Sequence, residues 1–140
     1  MAMQSSSADG AQVLREYFAA IASLAPERIA ACFRPDGELE DPIGTAVLRG
    51  REEIREYWAQ GLCAVAVAVD IDIVAVLSAG GSVAGHWQMS ACTRNGVVAR
   101  AEGIDVLQLD PAGLILRAEG YWDQMAFRAA LMKRPDSKPS

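Results

Sequence analysis

Apolar residues recur along this chain first at helical spacing and later at every second position, and that change of period predicts the fold. Residues 11–24 place Val13, Leu14, Tyr17, Phe18, Ile21 and Leu24 on one stripe of a helix. Pro26, tolerated in a first turn, opens a second helix with Ile29, Ala30, Cys32 and Phe33 inward. Arg34-Pro35-Asp36-Gly37 has the chemistry of a turn. Glu38 to Asp41 reads as extended, and Gly50 precedes a third helix from Arg51 to Leu62 with Ile54, Tyr57, Trp58 and Leu62 inward. From Val67 onward the pattern alternates. Val67–Val74, Ser82–Thr93, Val97–Leu109 and Leu114–Gln124 read as strands, with turns at Gly80-Gly81, Asn95-Gly96 and Asp110–Gly113. Helices followed by an antiparallel meander predict an α+β domain over residues 11–131, its helices packed on one face of a curved sheet, with loose tails at 1–10 and 132–140.

Composition narrows the function classes. The chain has 140 residues, enough for one domain with a sizeable core, and a net charge of −5. Without a dense basic stripe it is a poor fit for nucleic acid. Its longest apolar stretch, Gly61–Val69, is too short for a bilayer span, and residues 1–10 lack the cationic start and apolar core of a secretory leader. Cys32, Cys63 and Cys92 are odd in number and widely spaced, and His86 is the lone histidine, so no structural zinc site is expected. Buried free thiols fit a reducing compartment, and the chain reads as cytoplasmic.

The candidate chemistry lies in carboxylates that face the wrong way. In the extended run Glu38-Leu39-Glu40-Asp41, Leu39 and Asp41 share a side. If Leu39 faces the core, Asp41 follows it, and an inward carboxylate needs a partner, a raised pKa or a job. A solvated Asp-Pro turn is the plainer alternative. Further on, Ala101, Gly103, Asp105 and Leu107 share one strand face and Glu102, Ile104, Val106 and Gln108 the other. Ile104 and Val106 have the character of buried residues, and periodicity leaves open which face is inner. Tyr17 falls in a core stripe, where a tyrosine ordinarily just packs, and Trp122 ends the last strand.

Taken in order, the segments Tyr17-Phe18-Ala19-Ala20-Ile21, Leu39-Glu40-Asp41-Pro42-Ile43-Gly44, Arg49–Ile54 with Gln60-Gly61-Leu62, Gly103–Val106 and Gly120-Tyr121-Trp122 resemble the bacterial steroid Δ5-isomerases. These ketosteroid isomerases belong to the nuclear-transport-factor-2-like, or SnoaL-like, superfamily of cone-shaped α+β domains. The resemblance spans residues 11–125. It implies that Asp41 is a general base, that Tyr17 donates to an oxyanion, and that Asp105 is a second donor kept protonated by apolar surroundings. The implied reaction moves a proton from C4 to C6 of a 3-oxo-Δ5-steroid or similar polycyclic ketone, with no metal or organic cofactor. A homodimer formed through the outer sheet face is also implied.

The resemblance further places Trp58, Leu62, Gln88, Ser90, Gly103, Ala118, Gly120 and Trp122 on the substrate pocket, with Ala101 on the same inward faces. Phe33 and Trp58 stand where better-known members carry two more tyrosines, which implies a less polarised Tyr17 and slower turnover. His86 points along the side of Gln88 and reads as a rim residue. Two other readings stand beside the isomerase. Epoxide hydrolases and polyketide cyclases of the same superfamily share the Glu-Asp-Pro-hydrophobic-Gly block, although residues 57–69 offer no further carboxylate to act as acid. A non-catalytic module for a hydrophobic ligand or a partner protein is the other.

Overall fold

A computed structural model describes residues 9–133. The predicted loose ends at 1–8 and 134–140 fall outside the described residues. Helix α1 (Gly10–Ala22) starts where Asp9 accepts a hydrogen bond from the Ala11 N–H, so residue 10 is helical and not tail. Helix α2 (Pro26–Ala30) begins at its proline and is followed by strand β1 (Phe33–Glu40) and the short β2 (Leu48–Arg49). Helix α3 (Gly50–Gln60) gives way at Gly61 to one further turn, α4 (Leu62–Val65). Four long strands follow: β3 (Ala66–Ala79), β4 (Ser82–Thr93), β5 (Val98–Leu109) and β6 (Ile115–Trp122), before a final helix α5 (Gln124–Leu131).

The strands form one sheet of six in the order β2-β1-β6-β5-β4-β3. Only β1 and β6 run parallel, which accommodates the crossover from the helical half of the chain. The Asn95-Gly96 hairpin pairs Cys92 with Val98 and so carries odd residues onto odd residues between β4 and β5. This register settles the inner face. Leu107, Asp105, Gly103 and Ala101 face the helices with Val83, Gly85, Trp87 and Met89, while Ile104 is 46% exposed on the outer surface. Ile104 and Val106 are therefore not core residues.

Two local expectations need correction. Phe33 belongs to β1 and not to α2. The predicted turn at 34–37 lies within that strand, where the register with β6 shifts between Phe33 and Glu38. Pro35 has no N–H to give to a ladder, so the pairing is interrupted there and resumes beyond Gly37. The segment after Trp122 is helical because Asp123 caps it, accepting from the Ala126 N–H at 2.9 Å.

The core fills the space between α1, α2, α3 and the inner sheet face, with Leu14, Tyr17, Ile29, Phe33, Leu39, Ile54 and Leu107 among its fully buried side chains. Helix α1 comes so close to β4 that a Cβ on Gly85 would overlap the Leu14 side chain. Tyr17, one turn beyond Leu14, inherits its depth from this contact. Gly85→Ala is expected to cost about 1–3 kcal/mol through overpacking. Urea unfolding measures this, and an unchanged midpoint would mean that Leu14 can rotate aside freely.

Candidate active site

The site is built on two neighbouring rungs of the sheet, each with glycine beside its functional side chains. In the first, Gly85 pairs with Asp105 and Asp105 with Gly120. The chain leaving β1 passes beside Gly120, where the Ile43 N–H donates to the Gly120 carbonyl at 2.8 Å. Asp41 thus lies across Gly120 from Asp105. An added Cβ on Gly120 would overlap Asp41 Oδ1 and stand 3.5 Å from Asp105 Oδ1, so the absence of a side chain there makes the space both carboxylates occupy. In the second rung, Gly103 lies between Trp87 and Trp122. The two indoles reach diagonally to the two acids. Trp87 Nε1 donates to Asp105 Oδ1 at 2.9 Å, and Trp122 Nε1 donates to Asp41 Oδ1 at 2.6 Å.

Helix α3 adds a third donor. Tyr57 Oη donates to the backbone carbonyl of Asp41 at 2.8 Å and stands 3.3 Å from its Oδ2. The loop after Asp41 is tethered from the outer side of the sheet. Arg117 bonds Glu38, Glu40 and Glu119, and Glu40 Oε2 in turn accepts the Gly44 N–H at 2.9 Å. The Asp41–Pro42 peptide is cis.

Above this floor is a largely apolar cavity of about 450 Å³, a volume ordinary for a drug-sized organic ligand. Asp41, Tyr57, Trp58, Leu62, Trp87, Asp105 and Trp122 line it, joined by Phe127 and Arg128 from α5. Asp41 and Asp105 are each 8% exposed, and among the described residues neither has a cationic ion-pair partner. Burial pushes both pKa values up. At Asp41 the bonds from Trp122 and Tyr57 oppose the rise, whereas at Asp105 the negative charge of Asp41 adds to it and only Trp87 opposes. The surroundings therefore oppose the anion less at Asp41 than at Asp105. Tyr17 is 1% exposed, set edge-on to Phe33 at 5.6 Å and tilted on Phe18 at 5.9 Å. Burial, then the charges of Asp105 and Asp41, hold its phenol well above the ordinary tyrosine pKa.

The SnoaL-like domain family matches residues 14–118. The chain belongs to the SnoaL-like family. It is 31% identical over 118 residues to the steroid Delta-isomerase of Nocardioides simplex, an alignment covering 83% of this chain and 91% of that protein. Among solved structures, the epoxide hydrolase/cyclase-like enzyme SalBIII, of pyran ring formation in the polyether salinomycin, superposes with a TM-score of 0.70 at 25% identity, covering 83% of this chain and 92% of SalBIII. A hypothetical protein with a ketosteroid isomerase-like fold from Catenulispora acidiphila, solved with trimethylamine, gives 0.76 at 20% identity over 94% of this chain and 100% of its own, a likeness of fold.

In this SnoaL-like domain, Asp41, Asp105, Trp58, Leu62 and Trp122 meet at one cavity. Tyr17 lies behind the lining and not on its open surface. Gly103 and Gly120 lie on the inner face and act through the room they leave. Ala118 is fully buried beside Leu39, with which it pairs, and Ala101 faces inward without reaching the cavity. Gln88 and Ser90 are corrections. They share the outer face with Asp70, Asp72, Arg100 and Glu102, because odd-numbered residues of β4 are the inner ones. His86, on that same face, hydrogen-bonds Glu102. Cys32, Cys63 and Cys92 are free, and all three are only half-buried. No helix among the described residues is long and apolar enough to cross a membrane.

Trp87, Tyr57 and the α5 residues line the cavity without having been singled out from the sequence. Trp87 was accessible through the hairpin register, since an inner Asp105 forces an inner Gly85, Trp87 and Met89. Tyr57 shares its helix face with Trp58, and only the fold shows that it reaches Asp41.

The raised pKa of Asp105 has a stability consequence. Below about 3.8, the ordinary carboxylate value, folded and unfolded chains are both protonated at this group. As pH rises, the unfolded chain releases the proton first, so this contribution to stability falls until the folded pKa is passed. Asp105→Asn keeps an acceptor for Trp87 and has no proton to lose. Its stability relative to the parent is expected to increase from about pH 4 to about pH 7, read from urea midpoints. A difference that stays flat over this range contradicts a buried, proton-holding Asp105.

Proposed function

We propose that this SnoaL-like protein is an isomerase of the steroid Δ5 type, acting on a 3-oxo-Δ5-steroid or a related polycyclic ketone. One observation carries the reading: two buried carboxylates share a glycine gap in an apolar cavity, one supplied with donors that favour its anion and the other left to keep its proton. Likeness to the Nocardioides simplex enzyme over most of both chains supports it.

The chemistry follows from those unequal environments. The Asp41 carboxylate removes a proton from C4, and the electron pair moves through the carbonyl to leave a dienolate with its charge on O3. Charge developing there needs donors already aimed in a dry site. Asp105 Oδ1 is taken by Trp87, so Oδ2 carries the proton that it offers to O3. Tyr17, held un-ionised by its burial and then by the two acids, lies behind the lining, so its phenol serves as the second donor only to a ketone oxygen seated deep against the floor. The protonated Asp41 then returns its proton to C6, and the double bond ends in conjugation between C4 and C5. The Asp41 bond to Trp122 keeps the base oriented during the transfer without satisfying all its lone pairs. Phe33 and Trp58 give no hydroxyl to Tyr17, and the Trp58 indole N–H is buried without a partner. Modest turnover on a standard steroid fits that lack.

The likeness to SalBIII supports a second reading, in which protonated Asp105 gives its proton to an epoxide oxygen while Asp41 activates the attacking hydroxyl. Exposed Leu77, Ile104 and Tyr121 support pairing of two copies through the outer sheet face.

With 5-androstene-3,17-dione, the protein is expected to generate absorbance at the conjugated-enone band. Asp41→Asn should lower kcat by roughly 10²–10⁴-fold, and Asp105→Ala by roughly 10²–10³-fold. The acid limb of the rate profile should lie above the ordinary carboxylate range, because burial raises Asp41. Binding of the steroid without any enone would remove the isomerase reading, and ring-opened product from an epoxide substrate in its place would favour the second.

A further inference from the structure

The cavity is polar in two places. One is the carboxylate floor. The other is on α5, where Gln124, Phe127, Arg128 and Leu131 all line the cavity. Their spacing of i, i+3, i+4 and i+7 is one face of a helix, so Arg128 belongs to the stripe turned toward the ligand space. Among the described residues, Arg128 is the only cationic one lining the cavity and makes no salt bridge. Arg34, Arg49, Arg55 and Arg117 each hold a carboxylate, and of the described arginines that do not, Arg128 alone lines the cavity. A guanidinium against an apolar surface is ordinarily accommodated by sending its head to water or to an anion. Gln60, from the end of α3, brings an amide to the same cavity.

The arrangement of charge is directional. Gln124 follows directly on the Trp122–Asp123 segment, whose indole is bonded to Asp41, and Arg128 lies four residues, about 6 Å, further along the helix axis. Its positive charge opposes, at the Tyr57 hydroxyl, the rise in pKa that burial and Asp41 impose. An ionised Asp41 repels a negative group, and Arg128 attracts one. A ligand with one anionic end would therefore enter with its neutral end toward the acids.

We propose that Arg128, assisted by Gln60 and Gln124, binds a carboxylate carried by the substrate at the end remote from its reacting ketone. The substrate class is then a polycyclic keto acid and not a neutral ketone, an inference that rests on the isomerase reading of the same site. The planar guanidinium matches a carboxylate through two parallel N–H···O bonds. One cation flanked by amides balances a monoanion. A dianionic phosphate would leave excess negative charge above Asp41.

The test uses a matched pair, 3-oxo-4-androstene-17β-carboxylate and its methyl ester, with the quenching of Trp58, Trp87 and Trp122 as the binding signal. The full chain is expected to bind the carboxylate roughly tenfold more tightly than the ester. Arg128→Gln should bring that ratio close to one, and added salt should shrink it in the parent. A ratio near one in the parent, or an unchanged ratio in Arg128→Gln, overturns the proposal. Equal loss of both ligands in the variant also overturns it, since that is what a purely structural arginine in the last turn of α5 would give. Turnover of the corresponding Δ5 ketones, followed at the enone band, judges the isomerase reading separately. A keto acid bound tenfold more tightly but never isomerised would leave the anion site standing without that reaction. Failure of the parent to bind either compound removes both.

Discussion

The cavity floor depends on a vacancy at Gly120. A carboxylate on β5 and one on the chain leaving β1 approach each other across β6 only because the residue between them has no side chain. Their mutual repulsion in a medium poor in water then splits their behaviour. Among the described residues neither acid has a cation to neutralise it, and the groups that bond the pair are neutral donors: two indoles and a phenol. The distribution of those donors is uneven. The acid with more of them is the better anion, and the acid with fewer is the better proton carrier.

This explains why the surroundings of the floor are so aromatic. An indole N–H stabilises a carboxylate without bringing in a counter-charge, and its ring keeps water out. Trp87 and Trp122 meet edge-to-face at 6.1 Å, and Trp122 packs the same way on Phe127 at 5.7 Å, so the donors are braced by each other and by α5. A cationic partner at either acid would have held it permanently ionised and removed the contrast. The cation that does reach this cavity, Arg128, comes from a different element.

How much of this was legible beforehand depended on the range of the interaction. The helical stripe through Leu14, Tyr17 and Ile21 and the Asn95-Gly96 hairpin are local patterns that read directly from neighbouring residues, whereas alternation put Asp41 on the side of Leu39 but left a solvated Asp-Pro turn as the plainer alternative. The family resemblance brought Tyr17, Asp41 and Asp105 together across the chain. Side choice on β4 was misread for Gln88 and Ser90 because alternation states that two faces differ, and only register states which is inner. Ile104 and Val106 misled for a related reason, as apolar side chains also occupy the outer face of this sheet. The α5 helix is short and follows straight on from a strand, so its start signal, Asp123, was hidden by the alternation running up to it. Tyr57 needed three dimensions, since its bond to Asp41 crosses from a helix to a loop.

The tether formed by Arg117 has a further implication. A single guanidinium on the solvent side gathers Glu38, Glu40 and Glu119, and Glu40 passes the restraint through Gly44 to the turn that carries Asp41. The buried Asp41 carboxylate is thus suspended from a patch of surface ionic chemistry on the far side of the sheet. Whatever covers or crowds that patch gains a mechanical handle on a proton it never touches.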